Sequence, residues 1–180
     1  KLTNELTCKT KKYRVKMLLG VETDTYDITG KIMFASVVDS DEIYIKERIK
    51  RFVGKQEQMP PIYSAIRVDG KRAYSYARAG KDVEMQPRQI EIFAIDNIVV
   101  NLEVKEVEFD VTCSKGTYIR SLVNDIGKKI GCGATMCELR RLRNGNFDIS
   151  DSIGLYEYLN LEYDKMLQKI VSIEEYYQES

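Results

Sequence analysis

The sequence predicts an α+β fold, in which a mixed, mainly antiparallel sheet is flanked by helices. Apolar and polar residues alternate at 13–19 and over much of 88–111, as they do in strands that bury one face. An apolar stripe with helical spacing runs through 117–130. The connections are short and contain typical turn residues, so the chain is predicted to form one body.

The first elements are a predicted strand, a turn and a returning strand. The alternation at 13–19 ends at Gly20, which is a favourable residue for a turn. Residues 23–30 contain Asp and Thr side chains that form local hydrogen bonds, followed by a terminal glycine. The apolar stretch 32–38 is therefore predicted to be the returning strand.

A helix and a proline-containing segment follow. Residues 42–52 have apolar side chains at helical spacing, and Pro60 ends any continuation because proline lacks the backbone donor. We predict a short strand at 62–68 and a short helix at 71–78, with Gly80 after its end.

The second half begins with two long strands, predicted at 88–104 and 107–111. The helix at 117–130 is the clearest in the chain, and glycines 131 and 133 end it. Residues 139–143 fit a strand or a helix, since five residues are too few for periodicity to decide. Ser150 and Ser172 are possible starts of short helices.

Composition excludes several kinds of chemistry. The 180 residues include no histidine, so Ser-His and Cys-His nucleophile pairs and most catalytic zinc sites cannot be built within this chain. No cysteine pair has CxxC spacing, which favours structural thiols in a reduced, cytoplasmic protein; the cysteines are Cys8, Cys113, Cys132 and Cys137. No apolar run approaches the 18 or more residues of a membrane-spanning helix.

Charge is distributed unevenly, although Lys+Arg and Asp+Glu are 28 each. Residues 148–180 have eight acidic and two basic side chains, so residues 1–147 have a net charge of +6. A basic body fits a polyanion-binding surface, because phosphate contacts dominate nucleic-acid affinity. The alternative is an ordinary solvated charged surface.

Arg120 lies in the first turn of the predicted helix, where the macrodipole disfavours a cation. An arginine at this position is understandable if it faces a carboxylate or phosphate; otherwise it is a surface residue whose head points into water. Thr117 is expected to be the N-cap, after the flexible Gly116. The sequence of residues 114–117 does not match a nucleotide-binding P-loop.

Tyrosine is abundant, with 12 residues, and three clusters combine tyrosine with cations: KKYR at 11–14, KRAYSYAR at 71–78 and KGTYIR at 115–120. Aromatic faces and cations together are suited to holding unstacked RNA bases. Core packing is the alternative for each tyrosine.

Several blocks resemble the tRNA pseudouridine-55 synthases, the TruB family. The longest is MPPIYSAIRVDGKRAY at 59–74, followed by YARAG at 76–80. CSKGTYIR at 113–120 with DIG at 125–127, KYR at 12–14 and LRR at 139–141 resemble further motifs of that family. The resemblance extends from about residue 1 to residue 147 and weakens beyond it.

The resemblance implies an enzyme that isomerises a uridine of the tRNA T-loop, after base flipping and without a cofactor. Tyr13 would contact the flipped uracil, Arg120 would pair with the catalytic aspartate, and Leu139 would line the base pocket. The implied RNA-binding residues lie mainly in the segment 60–80 and around the clear helix: Pro61, Tyr63, Ser64, Arg67, Lys71, Arg72, Tyr74, Arg78, Lys115, Tyr118, Arg140 and Arg141. No metal ligands are implied.

One feature of the family is missing from the sequence. The Gly-x-Leu-Asp block that carries the family's catalytic aspartate is not found, and the aspartates present occupy other motif positions: Asp24, Asp27, Asp110 and Asp125. We therefore expect an N-terminally truncated catalytic domain at 1–147 and an acidic helical extension of it at 148–180. Such a chain is expected to be inactive alone and to expose a sheet edge through which it could form a homodimer. A non-catalytic RNA-binding or RNA-chaperone module is the alternative.

Overall fold

The computed structural model describes residues 10–68, 70–80 and 84–178. The strands in this part are β1 (Lys11–Leu19), β2 (Val21–Thr23), β3 (Ile32–Ala35), β4 (Gly54–Gln58), β5 (Arg67–Val68), β6 (Lys71–Arg72), β7 (Arg88–Asn101), β8 (Glu106–Cys113), β9 (Ala134–Asn144) and β10 (Phe147–Asp148). The helices are α1 (Glu42–Lys50), α2 (Ala73–Arg78), α3 (Ile119–Ile130), α4 (Leu155–Leu159), α5 (Tyr163–Leu167) and α6 (Ile173–Gln178), with a 3₁₀ turn at Ile149–Asp151.

A six-stranded antiparallel sheet forms the centre of the fold. Its strand order is β10-β9-β1-β8-β7-β4, and the hairpins β2-β3 and β5-β6 lie outside it. In the interior strand β1, Tyr13 is opposite Val111 of β8 and Arg141 of β9. The predicted α+β fold with a mainly antiparallel sheet is confirmed.

One face of the sheet carries the core. Val15, Met17 and Leu19 of β1 are almost fully buried on this face, as strand alternation requires. Helix α3 packs on β9 and β1, and α1 packs on α3 and β7. The apolar side chains of α3 that join this core are Ile119, Leu122, Val123, Ile126 and Ile130. Burial of each large apolar side chain contributes about 1.5–3 kcal/mol, so this face fixes the position of α3.

The opposite face of the sheet is charged. Asp110 of β8 is 2% exposed and receives hydrogen bonds from the Arg14 guanidinium at 2.9 and 3.3 Å and from the Asn97 amide at 2.9 Å. Lys12 lies 3.7 Å from the same carboxylate. Burial opposes ionisation of this carboxyl, but the Arg14 and Asn97 hydrogen bonds lower its pKa below the ordinary value. Asp110 is therefore a structural anion that ties together β1, β7 and β8.

Helix α3 begins and ends in different ways. It starts at Ile119, with Tyr118 as the N-cap and no side-chain cap. The prediction that Thr117 is the N-cap is wrong, because its hydroxyl donates to the carbonyl of Ser114 at 3.0 Å in the preceding turn. The predicted stop is confirmed: Gly131 has a φ of 101°, which favours glycine.

The structure contradicts the prediction for residues 62–68 and decides the open question for residues 139–143. The strand predicted at 62–68 is wrong for most of its length, and only β5 pairs, with β6. Residues 62–65 bend instead, because the Ser64 amide bonds to Ile62 and its carbonyl accepts from Tyr74. Residues 139–143, left undecided by periodicity, are part of strand β9.

The acidic segment at 148–178 contains three short helices with mainly exposed side chains. Tyr176 is an exception: it is buried and stacks on Phe147, with ring centres 6.0 Å apart. The predicted helix start at Ser172 is confirmed, since Ser172 and Glu175 exchange hydrogen bonds as a capping box. The division into 1–147 and 148–180 stays a prediction.

The outer edge of β9 is paired mainly at its ends. Phe147 and Asp148 of β10 pair with its last residues, and the 26–28 loop bonds to Met136. Among the described residues, no strand pairs with this edge between 137 and 142. The homodimer expected through such an edge stays a prediction. Every helix of the described chain is too short or too polar to span a bilayer.

Candidate active site

The core face of the sheet has an uncovered part on β1 and β9. The first residues of β9 are buried beside α3, but Leu139 and Arg141 are exposed. Tyr13 is opposite Arg141 and Val15 is opposite Leu139, so Tyr13, Leu139 and Arg141 share one face. The Arg141 guanidinium lies 5.5 Å from the centre of the half-buried Tyr13 ring. We call these three residues the open face; it combines an aromatic ring, an apolar side chain and a cation.

Arg120 lies at the second position of α3. Its guanidinium donates to the carbonyl of Tyr63 at 3.0 Å and to the carbonyl of Thr25 at 3.4 Å. Within the described chain, Arg120 has no carboxylate partner. A guanidinium has five donors, so the remaining ones can bind an anion in the fork geometry that suits carboxylate or phosphate.

The 23–30 loop connects Arg120 to the open face. Tyr26 and Ile28 of this loop exchange backbone hydrogen bonds with Met136 of β9, three residues before Leu139. The ends of the loop are held together, because the Asp24 carboxylate accepts from the Lys31 amide at 2.8 Å and the Asp24 amide donates to the Lys31 carbonyl at 3.0 Å. Arg120 contacts the same loop through Thr25. The predicted residues Arg120 and Leu139 are thus attached to two sides of one ordered loop.

Gln58 fixes the start of α3 and was missed by the sequence reasoning. It is the last residue of β4, is 3% exposed, and bonds twice to the Tyr118 backbone. Its oxygen accepts from the Tyr118 amide at 2.8 Å, and its amide donates to the Tyr118 carbonyl at 3.1 Å. The sequence does contain one indication of this role: Gln58 is an amide side chain just before two prolines, which lack backbone donors.

The predicted RNA-binding residues differ in exposure. Pro61 and Ser64 are buried, so they support the segment that carries them and offer little surface. Half-buried or exposed members of the set are Tyr63, Arg67, Arg72, Tyr74, Lys115, Tyr118, Arg140 and Arg141. The side chains of Lys71 and Arg78 lie outside what the structure describes. The role of each residue in RNA binding stays a prediction.

Two arrangements within this set bear on RNA binding. The Arg72 guanidinium lies 5.9 Å from the Tyr74 ring centre, which combines a cation with an aromatic face on the small hairpin and helix α2. Arg140 belongs to the other face of β9, because it is opposite Arg14. Arg140 therefore does not share the open face with its neighbour Arg141.

The aspartates that the sequence contains have other structural surroundings. Asp24 and Asp27 accept hydrogen bonds within their own loop, from Lys31 and Thr29. Asp110 is paired with Arg14 on the opposite face of the sheet. Asp125 lies on α3, where burial raises the pKa of its carboxyl. In the ranges that the structure covers, no three His, Cys, Asp or Glu side chains come together as metal ligands would.

Comparison with protein families identifies the class. A model described as TruB family pseudouridylate synthase (N terminal domain) matches residues 1–119. A second, described as tRNA pseudouridylate synthase B C-terminal domain, matches residues 120–175. The chain belongs to the TruB family of pseudouridylate synthases, which confirms the predicted membership.

Individual relatives carry a more particular name. A protein of Clostridium kluyveri named tRNA pseudouridine synthase B is 48% identical over 167 residues, covering 90% of this chain and 54% of the relative. A protein of Thermosipho melanesiensis with the same name is 44% identical over 174 residues, covering 97% of this chain and 56% of the relative. The chain thus spans about half the length of the curated relatives it matches.

Two solved structures share the fold. A Cbf5-Nop10-Gar1 complex matches with a TM-score of 0.65 and 28% identity, covering 94% of this chain and 41% of that chain. An H/ACA ribonucleoprotein bound to a substrate RNA containing 2'-deoxyuridine matches with a TM-score of 0.60 and 25% identity, over 94% of this chain and 39% of that one. The second of these neighbours is an RNA-bound assembly.

Proposed function

We propose that this chain supplies the RNA-binding surface and most of the base pocket of a tRNA pseudouridine synthase acting on uridine-55 of the T-loop. The observation that carries the proposal is the position of Arg120. Its guanidinium is held by the carbonyls of Thr25 and Tyr63, on two loops, one of which is bonded to β9 beside the open face. Family membership and the tRNA-directed relatives support the choice of substrate.

The open face has the groups that a flipped uridine needs. An enzyme that acts on a base inside a folded RNA must take it out of the stack and hold it elsewhere. In this proposal the Tyr13 ring stacks on the uracil, and Leu139 forms an apolar wall beside it. Arg141, over the Tyr13 ring, neutralises a neighbouring phosphate.

Arg120 has a different part in the proposal. Its unused donors hold the carboxylate of the family's catalytic aspartate, which attacks or deprotonates the nucleotide. No carboxylate of the described chain occupies that position, so we propose that the chain alone is inactive. No cofactor takes part in the proposed reaction.

Among the described residues no carboxylate lies beside Arg120, and this observation also fits the alternative function. An RNA-binding or RNA-chaperone module would also keep the basic, tyrosine-bearing surface, and it would not need a carboxylate beside Arg120. The two functions differ in whether the target base is flipped and held. A tRNA partner and reduced thiols fit a cytoplasmic location under either function.

Base flipping is measurable with a T-stem-loop RNA in which 2-aminopurine neighbours the target uridine. We expect its fluorescence to rise when the chain binds, because the probe loses a stacking partner, and we expect Tyr13→Ala to reduce the rise. Binding without any rise would contradict the base pocket and support the RNA-binding module. A T-stem-loop without a uridine at the target position is the matched control.

A further inference from the structure

The start of α3 is attached at three points to the last residue of β4 and the segment that follows it. Gln58 bonds to both backbone groups of Tyr118. The Ser121 hydroxyl donates to the Met59 carbonyl at 2.8 Å. Between these two, Arg120 donates to Tyr63. The residues that bracket Arg120 on the helix are therefore fixed to the segment that precedes the proposed RNA-binding hairpin.

Gln58 makes the most rigid of these attachments. Its primary amide matches a backbone amide in geometry, so the pair of bonds to Tyr118 resembles one step of a β-ladder. The Tyr118 carbonyl also accepts the first helical bond, from the Leu122 amide at 3.0 Å. Gln58 thus bonds to the same carbonyl that starts the helix on which Arg120 lies.

The sheet fixes Gln58 in turn. Gln58 is paired with Arg88 of β7 at the end of β4, and its side chain is 3% exposed. Because Gln58 is buried, its polar atoms need these partners in the protein, and the bonds to Tyr118 supply them. Removal of the amide would leave Tyr118 without this partner. The core side chains would still hold α3 on the sheet, but the backbone just before Arg120 would lose its attachment to β4.

We propose that Gln58 is a positioning residue for Arg120: it sets the direction of the guanidinium by clamping the backbone of Tyr118, two residues earlier. This inference rests on the proposed function only in taking Arg120 as the residue that holds the catalytic carboxylate. It also connects the proposed RNA-binding segment 60–80 with Arg120. The segment begins two residues after Gln58 in the chain, and Arg120 lies two residues after Tyr118, to which Gln58 is bonded.

A matched pair of substitutions tests the proposal. Gln58→Met keeps length and removes both bonds to Tyr118. Gln56→Met is the control, because Gln56 lies on the same strand and its side-chain amide donates to the Phe52 carbonyl at 2.7 Å, with no bond to α3. Should Gln58→Met fail to fold, Ser121→Ala removes a single bond at the same junction.

The first readout is the ¹⁵N NMR signal of the Arg120 guanidinium, assigned by its loss in Arg120→Lys. We expect distinct, slowly exchanging guanidinium signals in the unmodified chain and in Gln56→Met, and averaged signals in Gln58→Met. Unchanged signals in Gln58→Met, or equal averaging in Gln56→Met, would overturn the proposal. This readout does not depend on any enzymatic activity.

The second readout is tritium release from tRNA labelled at C5 of uracil, with the chain supplemented by a peptide that carries the family's Gly-x-Leu-Asp block. For Gln58→Met we expect the Kd for RNA to change less than threefold while release falls at least fivefold, because Arg120 no longer holds the added carboxylate in place. An equal loss of binding and release would contradict a positioning role. If the unmodified chain binds RNA without flipping, the proposed function fails, whereas the Arg120 signals still decide the role of Gln58.

Discussion

The Arg120 guanidinium donates a 3.0 Å hydrogen bond to the carbonyl of Tyr63, which lies 57 residues earlier in the chain. This contact joins the start of α3 to the segment that carries most of the predicted RNA-binding residues. A cation in the first turn of a helix costs about 0.3–1 kcal/mol, and carbonyl acceptors offset that cost. The contact therefore explains how an arginine is kept at this position.

Arg120→Lys should reduce turnover, measured with the chain and a peptide that carries the family's Gly-x-Leu-Asp block, much more than a conservative change of charge suggests. Lysine keeps the positive charge but cannot reach two carbonyls and a carboxylate at once. Loss of one charge-assisted hydrogen bond of about 1.5–3 kcal/mol corresponds to a decrease in the turnover rate of roughly tenfold or more. Arg51→Lys, at an exposed position after α1, is the control. A change below threefold would make Arg120 an ordinary surface arginine.

Substitutions of Tyr13 separate stacking from its hydroxyl. Tyr13→Phe should keep RNA affinity, because the ring remains, whereas Tyr13→Ala should weaken binding of the flipped base by about 1–3 kcal/mol. Fluorescence titration of the labelled T-stem-loop measures both variants. Equal affinity and equal flipping in Phe and Ala variants would show that the ring does not stack on the base.

RNA binding should weaken steeply with salt. Residues 1–147 have a net charge of +6, and three phosphate contacts would lower affinity about 20- to 40-fold between about 50 and 200 mM salt. Arg67→Ala should weaken binding and lower the slope of the salt dependence by about 1, whereas Lys169→Ala, in the acidic segment, should leave it unchanged. A salt-independent affinity would rule out binding through phosphates.

Asp110→Asn should lower the free energy of unfolding by about 1–3 kcal/mol at pH 7, because the amide keeps one acceptor oxygen but loses the charge and the second acceptor that Arg14 and Asn97 use. The pKa of Asp110 is lowered in the folded state, so its contribution is present above the ordinary carboxyl pKa and is lost as pH falls through the folded value. Denaturant titrations at several pH values should therefore show the difference from the unmodified chain shrinking in acid. Asp39→Asn, in an exposed loop, should show neither effect.

Local sequence patterns predicted the main elements. Apolar and polar residues alternate in a strand with one buried face, and apolar residues recur at helical spacing in a helix with one buried face. β1, β7, β8 and α3 were predicted on this basis, to within a few residues. The segment 62–68 was wrongly predicted as a strand, because residues 62–65 form a bent loop held by a local bond between Ser64 and Ile62 and by a bond from Tyr74, ten residues further on.

The candidate site was predicted only in part, for a similar reason. Tyr13, Arg120 and Leu139 were named through motifs, but their arrangement depends on strand register and on the 23–30 loop. Gln58 was missed because its partner is a backbone group 60 residues away, and no local pattern identifies such a contact. The Arg14–Asp110 pair across β1 and β8 also joins residues that are far apart in the chain, so no local pattern identifies it either.

The most direct test is tritium release from tRNA labelled at C5 of uracil, since conversion to pseudouridine replaces the C5–H bond with a bond to the sugar. The chain is incubated with the tRNA alone, or together with a peptide that carries the family's Gly-x-Leu-Asp block, with an Asp-to-Asn peptide as control. We expect release only when the chain and the aspartate-bearing peptide are both present, and none when Arg120 is changed to Ala. Release by the chain alone would contradict this, because it would require a nucleophile among the carboxylates that the chain itself contains.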